Sequence, residues 1–258
     1  MKLAVVIDSP SNSAKTLAES LEVRRIRSNR IPTFRGRRLF INWGNRFAVP
    51  NNVRVLNDPR AVAVAANKLS AWNAIGVATA GIPIPQYTTE QRVAQDWTAR
   101  SKVLARSTAT GSGGDGITVV DRGGTVPRAM FYVRYIPKSA EYRFHVVNNE
   151  VIFRQQKRMK NGTNPTREQR LIRNHDNGWV FAENNVTFAS TAVERRLEEV
   201  ALNAVTRLQL DFAAVDLIVE RETNNVFFLE ANCRPGLEST RLIAAYTAAF
   251  ETIADEQE

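Results

Sequence analysis

Asp211-Phe212-Ala213-Ala214-Val215-Asp216-Leu217-Ile218-Val219-Glu220, a polar break from Arg221 to Asn225, then Val226-Phe227-Phe228-Leu229-Glu230-Ala231-Asn232-Cys233-Arg234-Pro235-Gly236: the rest of the chain is read outward from this stretch. Two apolar runs flank a turn through Thr223-Asn224-Asn225, the pattern of a β-hairpin. Centred on Thr223, the hairpin sets Asp216 directly opposite Glu230, with Cβ atoms about 4.5–5.5 Å apart. Asn232 lies two residues beyond Glu230 and shares its face. Two facing carboxylates between greasy flanks repel unless one is protonated or a cation sits between them. Oxygen-only ligands on a rigid hairpin suit Mg²⁺, whose remaining positions go to water and phosphate oxygens.

Upstream of the hairpin, Glu194 to Leu208 carries Leu197, Val200, Ala201, Ala204, Val205 and Leu208 on one helical stripe. Downstream, Thr240 to Ile253 reads as a closing helix. Glu141 to Val147, Asn148-Asn149 and Glu150 to Gln156 form a second strand–turn–strand pattern, in which Arg143 shares a face with His145 and stands opposite Arg154. Two arginines in register invite an anion between them. Lys157 to Asn177 is polar, contains a Gly-Thr-Asn-Pro step and reads as a long mobile loop. In the first half, Leu3 to Ile7 and Leu39 to Asn42 are short buried strands around a helix from Ser11 to Glu22, a small α/β unit. Pro59 to Ile75 has helical spacing, and a polar helix near Glu90 to Arg100 precedes the strand Val103 to Arg106. Then comes Thr110-Gly111-Ser112-Gly113-Gly114-Asp115-Gly116, followed at once by Ile117 to Val120. That glycine loop spells G-x-G-x-x-G but leads into a strand. It therefore fits a flap that covers phosphates with backbone N–H groups better than a dinucleotide fingerprint.

Composition narrows the classes. The 258 residues are 43% hydrophobic and 24% charged, ordinary for a globular protein. No apolar run approaches the roughly 20 residues of a membrane helix, so no membrane association is expected and the cytosol is the expected compartment. One cysteine, Cys233, rules out an internal disulfide framework. Net charge is +9, with ten arginines against Glu22 and Asp58 between Leu21 and Arg60. Such a stretch, Arg24 to Arg60, is read either as a solvated basic face or as a nucleic-acid surface. His145 and His175 have neither metal-ligand spacing nor a nucleophile beside them. No H-R-D, D-F-G, V-A-I-K or Walker lysine sequence is present.

In this order the pieces resemble the ATP-grasp superfamily, the fold of D-alanine–D-alanine ligase and the ribosomal-protein glutamate ligases. The resemblance runs from Asn67-Lys68 and Gly81-Ile82-Pro83-Ile84-Pro85 through the Val103–Ile117 strand and loop and Phe131 to Arg143. It ends on Asp216 and the E-x-N-x-x-P-G sequence of Glu230 to Gly236, its most specific part. It implies α/β architecture: an N-terminal α/β domain at 1–66, a lobe with the glycine flap at 67–130, and a C-terminal lobe with the metal site at 131–258. It also implies ATP and Mg²⁺. Lys68 and Arg106 resemble the cations on the α/β-phosphates, and Gly111, Ser112, Gly113, Gly114 and Gly116 the cover over the β/γ-phosphates. Tyr132, Arg134, Tyr135 and Ile136 fall on the hinge strand that meets adenine. Asp216, Glu230 and Asn232 look like the Mg²⁺ ligands. Arg143 looks like the residue at the reacting carboxylate, and Arg234 borders the same place. Arg106 replaces the family's usual lysine, and Arg134 stands where an acid commonly holds the ribose.

The expected activity is ATP-dependent ligation, in which a small-molecule or peptide carboxylate is activated as an acyl phosphate and taken by an amine. The alternatives are a kinase on the same fold acting on a hydroxyl, and a basic nucleic-acid-binding module. The chain is compatible with an oligomer.

Overall fold

The computed structural model describes residues 2–33, 36–76, 81–111 and 113–256. In chain order the elements are β1 (Lys2–Ile7), α1 (Asn12–Ser20), β2 (Arg24–Arg27), β3 (Arg38–Asn42), β4 (Val53–Leu56), α2 (Pro59–Ala65), α3 (Lys68–Gly76), β5 (Tyr87–Thr88), α4 (Gln91–Thr98), β6 (Val103–Arg106), β7 (Ile117–Val120), β8 (Phe131–Arg134), β9 (Lys138–Val147), β10 (Glu150–Met159), α5 (Arg167–Leu171), β11 (Trp179–Ala182), α6 (Thr191–Arg207), β12 (Phe212–Glu220), β13 (Val226–Asn232) and α7 (Thr240–Asp255). They build three sheets: a parallel one ordered β2-β1-β3-β4, an antiparallel one ordered β5-β8-β6-β7, and an antiparallel five-stranded one ordered β11-β10-β9-β12-β13.

The large sheet sorts its side chains by face, as strand alternation requires. On β12, Ala213, Val215, Leu217 and Val219 join Tyr142, Phe144 and Val146 of β9 against the apolar stripe of α6, which supplies Leu197, Val200, Ala201, Ala204 and Val205. The opposite face is divided. At one end Val147 and Phe212 meet α7 and the first sheet, in a core with Val5, Leu17, Leu39, Trp43, Tyr246 and Phe250. At the other end the same face carries Glu141, Arg143 and Asp216 into a cavity.

Several expectations change. The helical spacing from Pro59 to Ile75 yields two helices rather than one: the Asn67 side chain accepts from the Ser70 N–H at 3.0 Å and caps a new helix beginning at Lys68. Phe131–Arg134 pairs with β5 and β6 and so belongs to the second sheet, not to the C-terminal lobe that starts at 131 in the sequence reading. Lys157 to Asn177 is not one long loop. β10 continues to Met159, α5 interrupts the return, and Trp179–Ala182 pairs back onto β10 as β11.

Arg143 does not oppose Arg154. A bulge between Val151 and Phe153 shifts the ladder by one residue, so Gln155 faces Arg143 and Arg154 faces Phe144. Arg154 turns to the α6 side, where it pairs with Glu198 at 3.0 Å.

Candidate active site

The hairpin delivers the expected pair. Asp216 lies opposite Glu230, and a bulge at Leu229 then shifts the register so that Leu217 meets Phe228. Through β9 the row extends: Arg143 is opposite Asp216, and Gln155 is opposite Arg143. Gln155, Arg143, Asp216 and Glu230 therefore stand side by side across four strands, each step about 4.8 Å.

Each carboxylate of the row has its own cation. Arg143 donates to Asp216 through Nε at 2.7 Å and Nη2 at 2.9 Å, with its guanidinium 4.0 Å from the Phe181 ring centroid. Lys68 Nζ lies 2.5 Å from Glu230 and donates to the Gly111 carbonyl at 3.1 Å, tying the hairpin to the glycine loop. Burial works against a charged Glu230, but Lys68, Arg143 and Arg106 outweigh it and hold its carboxyl below the usual range. At Asp216 burial wins and pushes the carboxyl up, against the pull of Arg143. The same contact keeps the Arg143 proton in place despite burial.

The row floors a cavity of about 350 Å³. Lys68, Arg106, Gly111, Gly113, Gly114, Arg134, Tyr135, Ile136, Arg143, Asp216 and Glu230 all line it, as does Gly236. Gly116 sits at the base of the loop, where its carbonyl accepts from the Ser107 N–H at 2.9 Å. Ser112 lies outside the described residues.

Tyr132 and Arg234 are placed differently from expectation, while Asn232 keeps the expected face. Tyr132 is buried in the second sheet's own core with Ala94, Val103 and Val126, its hydroxyl donating to the Pro127 carbonyl. Asn232 shares the face of Glu230, and its Oδ1 accepts from the Arg234 N–H at 3.0 Å. Arg234 reaches away to the loop after β1, donating to Ser9 Oγ at 2.9 Å and the Pro10 carbonyl at 3.0 Å.

The cavity also holds groups the sequence reading passes over. Glu141 is buried between Lys138 at 3.0 Å and Lys157 at 2.8 Å. Burial opposes its charge, yet the two ammoniums pull its carboxyl down to about 2. Arg173 and Asn174 come from the segment between α5 and β11, and Asn174 Nδ2 donates to the Gly113 carbonyl at 2.5 Å. Their signal was Trp179-Val180-Phe181-Ala182, an apolar run that marks a strand and so fixes the segment before it.

Among the described residues, seven lysines and arginines line the cavity against four carboxylates. Arg106 is nearly buried, its Nε has no partner among the described residues, and burial lowers its pKa despite Glu230. An orphaned buried donor within excess positive charge calls for an anionic ligand. No group of three or more His, Cys, Asp or Glu side chains gathers among the described residues. The expected metal set is instead two carboxylates and an amide. Away from the cavity, Arg24, Arg25 and Arg27 are exposed on β2, the edge of the first sheet.

No family model matches the chain, and no curated protein sequence does. Solved structures do match in fold. The D-alanine–D-alanine ligase of Bacillus anthracis aligns over 100% of both chains with a TM-score of 0.65 at 11% identity. A RiPP-associated ATP-grasp ligase of Chryseobacterium gregarium, solved with ADP and a leader and core peptide, covers 99% of this chain and 97% of its own (TM-score 0.62, 14% identity). The ATP-grasp ligase PsnB, solved with a minimal precursor, Mg and ADP, covers 98% and 96% (TM-score 0.66, 12% identity). At such identities the likeness is one of fold alone: the chain has the ATP-grasp fold.

Proposed function

We propose that the chain is an ATP- and Mg²⁺-dependent ligase that activates a carboxylate as an acyl phosphate for attack by an amine. The observation that carries this reading is the Asp216–Glu230 pair, each carboxylate matched to a cation inside a cavity whose remaining charge is positive. The donor chemistry fits the implied metal: Asp216, Glu230 and Asn232 offer hard oxygens on one face, and phosphate or water oxygens complete such a site. Mg²⁺ held there would supply positive charge at the transferred phosphate. The orphaned Arg106 Nε fits the implied triphosphate.

In this reading Lys68 and Arg106 bind the α/β-phosphates, and the loop from Gly111 to Gly116 covers the β/γ-phosphates and keeps water out. Arg134, Tyr135 and Ile136 border the base and ribose. Arg143 screens the incoming carboxylate, so that two anions can approach. A carboxylate oxygen attacks the γ-phosphorus and ADP leaves. The amine nitrogen then attacks the acyl carbon, the acyl C–O bond breaks, phosphate leaves and the amine gives up its proton. Two of the fold relatives, the Chryseobacterium gregarium ligase and PsnB with a precursor peptide, were solved with peptides, which supports a peptide as one substrate.

Hydroxylamine trapping tests the reading: with MgATP and a panel of amino acids and acidic peptides, a hydroxamate forms alongside ADP. Glu230→Gln abolishes both while leaving the circular dichroism spectrum unchanged. ADP release without any hydroxamate would assign phosphoryl transfer to a hydroxyl instead. Salt-dependent binding of nucleic acid with indifference to MgATP would assign the chain to the basic surface on β2.

A further inference from the structure

Behind Arg143 lies a buried chain of three side chains that the ligase reading leaves unused. His145, fully buried, has Nδ1 at 3.0 Å from the Tyr246 hydroxyl and Nε2 at 3.0 Å from Gln155 Oε1. Tyr246 is fully buried too, and among the described residues its hydroxyl has no other hydrogen-bond partner.

That hydroxyl fixes every proton in the chain. A buried O–H left without an acceptor is costly, so Tyr246 must donate and Nδ1 must accept. A neutral imidazole then carries its single proton on Nε2. The Nε2–H needs an acceptor, which forces Gln155 to present Oε1 to the histidine and to turn its NH₂ group away. Gln155 lines the cavity, and Nε2 of its amide finds no acceptor among the described residues. Its neighbour in the row, Arg143, spends Nε and Nη2 on Asp216, which leaves Nη1 as a second open donor.

We propose that Gln155 is a substrate-specificity residue: its NH₂, locked as a donor by His145 and Tyr246, works with Arg143 Nη1 to receive an oxygen of the carboxylate that is activated. The assignment rests on the ligase reading and adds to it a group that tells a carboxylate from an amine, since a fixed donor rejects a donor. His145 and Tyr246 are positioning residues and touch no substrate.

The test uses the full chain with MgATP and hydroxylamine, with acetate and L-glutamate as probe carboxylates. Gln155→Glu keeps an acceptor for His145 but puts a carboxylate oxygen where the donor stood. It is expected to raise the KM for the probe carboxylate about 10- to 100-fold, the range for losing a hydrogen bond to a charged group, with the KM for ATP unchanged. Gln155→Met, which has no donor and no charge, should give about a 10-fold rise. Tyr246→Phe removes the device that sets the tautomer. In ¹⁵N spectra of the two-histidine protein, the buried ring carries its proton on Nε2 in the wild type and becomes a mixture of tautomers in Tyr246→Phe. If the wild type turns over and neither Gln155 variant moves the carboxylate KM, or if the wild-type ring is protonated on Nδ1, the Gln155 assignment is wrong and the ligase reading stands. A wild type that makes no hydroxamate with these probes or with any amino acid or acidic peptide of the panel overturns both.

Discussion

Glu141 and His145 sit two strand positions to either side of Arg143, and both couple the site's charge to stability. Glu141 ionises near 2 in the folded chain against 4.5 as an ordinary carboxyl, because Lys138 and Lys157 hold it charged. Its contribution is complete above pH 4.5 and is lost as pH falls toward 2. His145 is held neutral: burial first and then Arg143 lower its pKa to about 3 from 6.5, although Gln155 pulls the other way. Between those values only the unfolded chain binds the histidine proton, so stability falls as pH drops from 6.5 toward 3. A single such proton gives a slope of about 1.4 kcal/mol per pH unit. Urea unfolding between pH 6.5 and 4.5 should therefore show a decline that is absent in His145→Gln, and a further decline below pH 4.5 that both proteins share. Equal slopes above pH 4.5 would show that His145 is not neutral in the fold. Arg143, Asp216 and Glu230 were legible from a facing pair of acids and a strand arginine. Glu141 was not, since its meaning depends on Lys157, which the sequence assigns to a loop.

At the scale of elements, register decides what the sequence can and cannot disclose. The hairpin turn places Asp216 against Glu230 because Leu229, the bulged residue, lies between that pair and the turn. The same device defeats the β9–β10 reading. Val151, Ile152 and Phe153 are three apolar residues in a row where alternation allows two on different faces. Ile152 and Phe153 both pack toward the core around Trp43, and Val151 packs toward the α6 core. Two consecutive side chains on one face make a bulge, and every residue after it changes sides. An unbroken apolar triplet in a half-buried strand was the available signal.

The break at Asn67 has a similar logic, because an asparagine that caps a helix also competes with helix continuation. Asn67→Ala should cost about 1 kcal/mol of stability. Loosening the first turn of α3 also loosens Lys68, so the KM for ATP should rise; an unchanged KM would show that α3 does not set the Lys68 position. In the glycine loop, Gly114 has φ +87°, and a Cβ there would lie 2.8 Å from Ile172 Cγ2 and 3.1 Å from Asn174 Nδ2. Gly114→Ala should therefore lose ATP affinity with little change in melting temperature, since the clash separates two covers of the cavity rather than two parts of a core. Unaltered ATP binding would place the nucleotide elsewhere.

Across the whole molecule, the first sheet is held as much by the end of the chain as by its own residues. The residues before Asn67 read as a short α/β unit, yet their core is completed by Leu242, Tyr246, Phe250 and Ile253 of α7 and by Val147 and Phe212 of the large sheet. Asn57 ties the same region to β12: its Nδ2 donates to the Phe212 carbonyl at 2.8 Å, and its Oδ1 accepts from the Asp211 and Phe212 N–H groups at 2.8 and 3.1 Å. Arg234 adds a third tie, from the end of the hairpin to the Ser9–Pro10 backbone. None of these contacts is local in sequence, so no window of the chain foretells them. Their physical consequence is cooperativity: a sheet that borrows a helix for its core unfolds with that helix. Phe250→Ala, at a side chain packed against Phe212 and Tyr246, should cost about 3–5 kcal/mol. It should lower a single transition in which the near-ultraviolet signal of Trp43, packed beside the first sheet just after β3, and that of Trp179, in the large sheet, move together. A chain cut before α7 should leave Trp43 in solvent, with an emission maximum near that of the unfolded protein. Two separated transitions in Phe250→Ala, or a blue-shifted Trp43 in the truncated chain, would mean that the first 66 residues stand alone and that the active-site sheet gains nothing from their company.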